Sequence, residues 1–491
     1  MTFPTFRLWG SAAAVLALSA CSTTLLPPTQ VEPQVAPTWQ ALLPHYGTVG
    51  GLSQWWQQQG DPLLVELIDA AQAASPTVAN ALTRIESARA QQATAYGALV
   101  PNLSAQASAV RGVTQPQVPM ATTLQGGLQA SWELDLVGAN RAANNAAAAQ
   151  VESSRAQWHE ARVSVAAEVA NLYYTHANCI QVLGLGFKNV DSQRTTARLV
   201  DINAKAGLAA PADAALAKAA AAEANSRLMQ QGAVCDINVK GLVALTNLPE
   251  PVLRQKLGAA LNQPAMAKPL EVHAVPAQTI TQRPDVYAAE RDVLLAATSV
   301  ASAKAQRYPR LSLNGSIGAM RVSSGGVDQD VSTWSFGPLA ISLPMYDGGQ
   351  RAASVKASEV AYQASISTYQ AKVRQAVREV EEALISLYST EARQADAQTA
   401  AKGYSESLAA TQTRFDKGLS SLIDLETARR QDLAAQTEMQ NLQLQRNQAW
   451  VALYRALGGG FEPARAAESA SASNANTSAN PGSQNNSTSA P

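Results

Sequence analysis

The sequence is short of the groups that most chemistry needs. It has 4 His and 3 Cys in 491 residues, and His45, His159, His176 and His273 show no metal-ligand spacing. His159-Glu160 does not continue into a metalloprotease helix pattern, and no nucleophile elbow, P-loop or dinucleotide-binding glycine run occurs. Scattered His residues on helices are expected at solvated surface positions. The expectation is no enzyme and no cofactor. An excess of one charge is also missing: 37 Lys+Arg stand against 37 Asp+Glu, so nothing marks the chain for nucleic acid. Aromatic residues make up 5% and charged residues 15%, while Ala is abundant. Small side chains let helices pack closely, which suits a helical assembly better than an enzyme core. After residue 21 no stretch reaches the roughly 18 apolar residues of a membrane-spanning helix, so any crossing must use strands.

What is present begins with a processing signal. Arg7 precedes an apolar stretch from Leu8 to Leu18, which ends at Leu18-Ser19-Ala20-Cys21. Small residues before a cleavage point mark a signal peptide, and the Cys directly after them fits a lipobox. Residues 1–20 are then a lipoprotein signal peptide, and Cys21 is the lipidated first residue of the mature chain. Ser22 at the next position favours sorting to the Gram-negative outer membrane. Acyl chains contribute about 0.8 kcal/mol per buried CH₂, so several on one Cys anchor firmly.

The rest of the chain is a duplication. PNLSAQA at 101–107 answers to PRLSLNG at 309–315, and WELDLVGANRAA from Trp132 answers to SLPMYDGGQRAA from Ser342. AGLAAPADAALAKA from Ala206 answers to KGLSSLIDLETARR from Lys417. The repeat divides the chain into an extended anchored segment (21–60), a first copy (61–250), an irregular equatorial segment (251–282), a second copy (283–458) and a Ser/Asn-rich disordered tail (459–491).

Each copy reads as a helix, two strands and a long helical hairpin. Asp61-Pro62 is a plausible N-cap and N1 pair for a helix over 62–97, and Arg283-Pro284-Asp285 opens one over 284–308. Residues 123–136 alternate, with Leu124, Leu128, Trp132, Leu134 and Leu136 on one face and Thr123, Gln125, Gln129, Glu133 and Asp135 on the other. Residues 102–109 alternate likewise. The second copy gives strands over 311–319 and 332–345, joined by SSGGVDQD, with Pro338 marking an edge or bulge. One apolar and one polar face on strands long enough to cross a bilayer is the pattern of a transmembrane barrel. Four strands cannot close one, because lipid tolerates no unpaired strand edge. Several copies must each donate four, and a trimer gives about 12 strands. Helices over 139–206 and 349–416 would each reach roughly 100 Å. They share a seam: Val163, Ala167, Ala170, Tyr174 in one and Val373, Val377, Val380, Leu384 in the other step by 4, 3, 4. Shorter helices return over 213–247 and 422–457.

The candidate site residues lie in the hairpins. Gly207 and Gly418 would end the outgoing helices, each with an Asp six residues on, Asp213 and Asp424. An acid in the first turn of a helix is favoured by the dipole, which is a sufficient structural reason for both. In a closed ring of three chains the same acids would face one another at a pore mouth. Cys179 and Cys235 lie at equal sequence distance on either side of Gly207. In an antiparallel hairpin that places them at one height, either as a disulfide or as two buried thiols on different faces.

These stretches resemble the outer-membrane efflux protein family of TolC-like channels, in its NodT-type lipoprotein subgroup. The matching residues are the lipobox at Cys21, Trp55-Trp56 leading to GDPLLVELIDAA, WELDLVGANR, TQRPDVYAAERDVLLAA from Thr281, YPRLSLNGSIG from Tyr308, PMYDGGQRAA from Pro344 and GLSSLIDLETARR from Gly418. The resemblance spans about residues 40–458. It implies an α+β membrane protein: a homotrimer with a 12-stranded outer-membrane barrel continuous with a 12-helix periplasmic coiled-coil barrel. It implies docking of a periplasmic adaptor on tips that here carry Gly207, Leu208, Gly418, Leu419 and Ser420, and an inner-membrane pump of the RND type. It implies a pore ring at Asp424, the repeat adding Asp213 as the matching acid. Where many members carry a second acid this chain has Thr427, with Glu426 beside it turned about 100° away on the helix, and Phe415 and Ser420 replace polar or charged tip residues. The expected function is a passive export duct for drugs or other toxic small molecules. The alternative is the outer-membrane duct of a type I protein secretion system, and a periplasmic adaptor is a further rival with one hairpin where this chain has two.

Overall fold

The computed structural model describes residues 26–29, 40–41, 54–113, 120–260, 280 and 283–461. The signal peptide, Cys21, most of the 21–60 and 251–282 segments, His45, His273 and the 462–491 tail lie outside the described residues. The chain forms two compact units, one built mainly on residues 82–155 and 287–372, the other on 54–81, 156–286 and 373–461.

The first unit holds a four-stranded antiparallel sheet in the order β1 (Asn102–Gly112), β2 (Ala121–Leu134), β3 (Arg310–Ser324), β4 (Val327–Ser342). Its register joins Ala105, Leu128, Ile317 and Trp334 in one row, and Leu103, Ala130, Gly315 and Phe336 in another. Directly paired residues share a face, so the apolar sets of all four strands coincide on one side of the sheet. The other side is polar: the Gln106 amide donates to Gln129 Oε1 at 3.3 Å, and the Ser316 and Ser335 hydroxyls meet at 2.8 Å. Gly127 and Gly318 face each other on that side, where a Cβ on Gly127 would meet the Ile317 carbonyl oxygen at 2.8 Å. Only glycine permits so close an approach of two backbones.

The second hairpin is longer than the alternation implies. The expected loop SSGGVDQD shrinks to a two-residue turn at Gly325-Gly326, with φ of 59° and 86°. Two successive positive φ values are the requirement of a tight hairpin turn. The alternation is hidden there because Arg321 and Asp330 sit on the apolar side, where they pair through two bonds of 2.6 and 2.8 Å. At the other end the register between Leu313–Leu339 and Gly315–Phe336 sets Gly337 and Pro338 against Asn314 alone, a bulge on a strand at the sheet's edge.

The second unit opens with a short helix α1 (Trp55–Gln58) and α2 (Pro62–Ala74). Asp61 caps α2: its Oδ1 accepts from the Leu63 and Leu64 N–H groups at 3.1 Å, and its Oδ2 accepts the Tyr173 hydroxyl at 2.6 Å. The helix expected over 62–97 is two helices, because Ser75 is extended before Pro76, which opens α3 (Pro76–Gly97). Two helices of 67 residues follow the strand pairs, α4 (Ala139–Lys205) and α8 (Gln350–Asp416), and contribute to both units. They return as α5 (Pro211–Thr246) and α9 (Leu422–Ala456). The equatorial stretch is not wholly irregular: Glu250–Ala260 forms α6, with Leu253 and Leu257 buried. Among the described residues, no helix is long and apolar enough to cross a membrane.

The core of this unit gathers Trp55, Trp56, Leu64 and Leu67 against Tyr173 and Tyr174 of α4, Leu242 of α5, Leu384 of α8, and Trp450 and Tyr454 of α9. Trp55 stacks on Tyr454 with ring centroids 4.9 Å apart. Arg283, just before α7 (Pro284–Ala305), is buried and holds both oxygens of Asp285 at 2.9 and 2.8 Å. It also donates to the Ala456 carbonyl at 2.9 Å and pairs with Glu379 at 2.8 Å. That carbonyl closes α9, where a cation is favoured by the dipole. The two described His residues do not lie on an open surface, contrary to the sequence expectation: His159 is half-buried. His176 is buried, and its pKa is lowered mainly by that burial. Burial, then the nearby Arg162 charge, lower His159 to about 4.

Candidate functional site: the two helical tips

Both hairpins reverse through the same backbone device. Gly207 and Gly418 have φ of 74° and 73°. Leu208 N–H reaches back to the Asn203 carbonyl and Gly207 N–H to Ala204, at 2.8 and 3.0 Å; Leu419 and Gly418 do the same to Arg414 and Phe415, at 2.8 and 2.9 Å. These are paired Schellman bonds, which consume the last carbonyls of α4 and α8 and need a left-handed residue that glycine supplies without cost.

The acids six residues on differ in their surroundings. Asp424 completes a capping box: Ser421 Oγ accepts its N–H at 3.1 Å, and its Oδ2 accepts the Ser421 N–H at 3.0 Å, the Ser421 hydroxyl at 2.7 Å and the Ser420 hydroxyl at 3.2 Å. Those bonds, chiefly from the Ser421 side chain, hold its carboxyl below the usual carboxylate range. Asp213 occupies the matching place on α5, but the N-cap there is Ala210, which has no side-chain oxygen to offer. Thr427 is half-buried one turn further along α9.

Glu426 is not an isolated acid. Its carboxylate accepts from Arg429 at 2.7 Å, and the two side chains are 12% and 4% exposed. The same guanidinium donates to Thr196 Oγ1 of α4 at 2.7 Å and to Gln412 Oε1 of α8 at 2.9 Å. One buried cation therefore ties three helices and both hairpins. Sequence reasoning missed Arg429. The available signal is its position seven residues after Leu422 and four after Leu425, on the buried stripe of α9. Beside it, Leu422 and Phe415 pack with Ala197, Val200, Ala214 and Ala217 of the first hairpin. This explains an apolar residue at position 415.

Three large apolar side chains point outward at the tips: Leu208 is 80% exposed, Leu419 66% and Ile423 62%. Asp201 binds Lys205 at 2.6 Å and Lys218 at 3.5 Å, joining α4 to α5 just above the first turn. Further along that hairpin Cys179 and Cys235 are joined in a disulfide, with Cα atoms 5.6 Å apart. Among the described residues no group of three or more potential ligands could hold a metal ion. The tips thus offer charge, exposed apolar surface and polar fasteners, which suits docking and passage of solutes.

Comparison with known proteins agrees in family and fold. A family model described as outer membrane efflux protein matches residues 67–248 and 275–459. The chain is 28% identical over 466 residues to the outer membrane protein OprJ of Pseudomonas aeruginosa, spanning 92% of this chain and 95% of that one. It is 27% identical over 413 residues to the toluene efflux pump outer membrane protein TtgI of Pseudomonas putida, spanning 82% and 86%. Its fold matches the Campylobacter jejuni CmeC outer membrane channel with a TM-score of 0.78 at 21% identity, over 92% of this chain and 98% of that one.

Proposed function

Since the chain belongs to the outer membrane efflux protein family, we propose that it is the passive outer-membrane duct of a multicomponent efflux pump in a Gram-negative cell. The observation that carries this reading is the four-stranded sheet with an exposed apolar face and, among the described residues, two outer strands each open along one edge, on the same chain as two helical hairpins. Lipid demands that the free edges be paired, so a second and third copy supply the missing neighbours. Three copies then close a 12-stranded barrel (three times four) and a tunnel of 12 helices. Lipid on Cys21 tethers each chain to the same membrane.

The duct hydrolyses nothing. Energy comes from an inner-membrane pump of the RND type, and a periplasmic adaptor engages Gly207, Leu208, Gly418, Leu419 and Ser420 to open the tips. Asp424 and Asp213 line the pore mouth. The naming of TtgI for a toluene efflux pump favours small toxic molecules over proteins as cargo. Deletion of the gene is expected to sensitise cells to several small toxic compounds, with restoration by the plasmid-borne gene. Unchanged susceptibility across a broad panel, with loss of a secreted protein, would favour type I secretion instead.

A further inference from the structure

The sheet's free edges differ in the size of what they carry. On the apolar face, β1 presents Ala105, Ala107 and Ala109. On the same face β4 presents Trp334 and Phe336, which are 79% and 82% exposed. Among the described residues each of these strands has one neighbour only.

The stagger between copies follows from barrel geometry. Strands about 4.8 Å apart, rising about 3.3 Å per residue and tilted about 35–45°, give a 12-stranded barrel a total stagger between about 12 and about 18 residues. Three-fold symmetry divides that equally. Apolar faces meet only if each share is even, which leaves about 4 or about 6 residues per chain. The direction is set by the inner ends. β1 starts at Asn102, in the row of Ser131 and Asn314, whereas β3 begins earlier at Arg310, opposite Ser342 at the end of β4. For those ends to lie at one depth, the next copy's β1 is displaced toward the inner end of β4. Trp334 lies in the row of Ala105 and Phe336 in the row of Leu103. A displacement of about 4 brings Ala109 of the next copy beside Trp334, and one of about 6 brings it beside Phe336.

We propose that the seam between copies is an aromatic-on-alanine contact, in which Trp334 and Phe336 of one chain cover the alanine run of the next chain's β1 at Ala109. This rests on the three-copy barrel proposed above and names the surface that joins it. Large rings over small residues fill the space that two large or two small partners would overfill or leave empty.

The test uses the full chain in outer membranes, with cysteine pairs and a short bis-methanethiosulfonate linker. Either Ala109→Cys/Trp334→Cys or Ala109→Cys/Phe336→Cys is expected to convert most of the monomer band to linked dimer and trimer on denaturing gels. Ala109→Cys/Ile341→Cys is expected to stay monomeric, because Ile341 falls beside residue 103 or 105 in these registers. Linking through Ile341 alone, or no linking by any pair while the native particle still runs as a trimer, overturns the seam. A native particle that is not trimeric overturns the three-copy reading itself. Independently, Ala109→Trp is expected to lower the temperature at which the trimer dissociates, while Ala109→Ser leaves it unchanged. Equal dissociation temperatures for the two variants count against the contact.

Discussion

The guanidinium of Arg429, on the returning helix of the second hairpin, donates to the hydroxyl of Thr196 on the outgoing helix of the first, at 2.7 Å. A contact between residues so far apart in sequence fastens the two tips of one chain. The charge is affordable in a buried position because Glu426 neutralises it and Gln412 takes another donor.

Arg429→Ala leaves Glu426 without its partner in a nearly closed site. Removing one member of a buried pair costs about 3–5 kcal/mol. The expected outcome is a loosened tip: faster tryptic cleavage near residues 414–430 and higher basal conductance in planar bilayers. Glu426→Gln combined with Arg429→Met is expected to recover much of the protease resistance, since no buried charge is then left unpaired.

Asp424→Ala is expected to raise conductance or weaken block by cations. The same substitution at Asp213, which lacks a capping partner, is expected to have a smaller effect. Identical currents in wild type and Asp424→Ala would remove the pore-ring role and leave only the cap. The cap has its own acid dependence. Its carboxyl is held below the usual range in the folded chain, so its contribution is present above the ordinary carboxylate pKa near about 3.9. That contribution is lost only as pH falls through the depressed value.

His159 has its folded pKa lowered to about 4, against about 6.5 unfolded. The unfolded chain therefore binds the extra proton first. Stability from this site is complete above about pH 6.5, declines as pH falls toward 4 and is constant below, with a total near about 3 kcal/mol. Chemical denaturation of wild type and His159→Asn across that window checks it; parallel slopes would show that the group does not contribute.

Cys179→Ser/Cys235→Ser opens a loop whose ends are 56 positions apart. The chain-entropy model gives about 4 kcal/mol for closing it. The double variant is expected to unfold at lower denaturant and to lose the mobility difference between reduced and oxidised gels.

Leu419→Glu and Leu208→Glu place charge on the exposed tips. Both are expected to impair export while the trimer stays intact on native gels. Normal export by either variant would argue against adaptor docking at that turn.

Much of the fold was written in local signals. Alternation from Leu124 to Leu134 marks a strand without reference to its neighbours, and Gly207 and Gly418 mark turns because only their backbones can take that shape. Where two signals compete, local pattern is a poor guide to structure. Pro76 breaks a helix that the apolar spacing carries through, and α6 is hidden by Pro249 just before it and Pro251 in its first turn. The outer half of the β3–β4 hairpin was obscured because Arg321 and Asp330 interrupt the apolar face. Their pairing across two strands cannot be seen in either strand alone. The partial burial of His159 and the burial of Arg429 are likewise invisible in the sequence, because they depend on which helices arrive from elsewhere in the chain.

The clamp at Arg283 sets an order of events. Its carbonyl partner, Ala456, lies near the end of the described residues and is therefore synthesised late. Until that segment arrives, the guanidinium has lost one of its acceptors and the start of the second copy is not pinned to the end of α9. A chain truncated ahead of residue 456 lacks the closing contact altogether. The full set of partners around the guanidinium at the start of the second copy therefore requires the chain through residue 456.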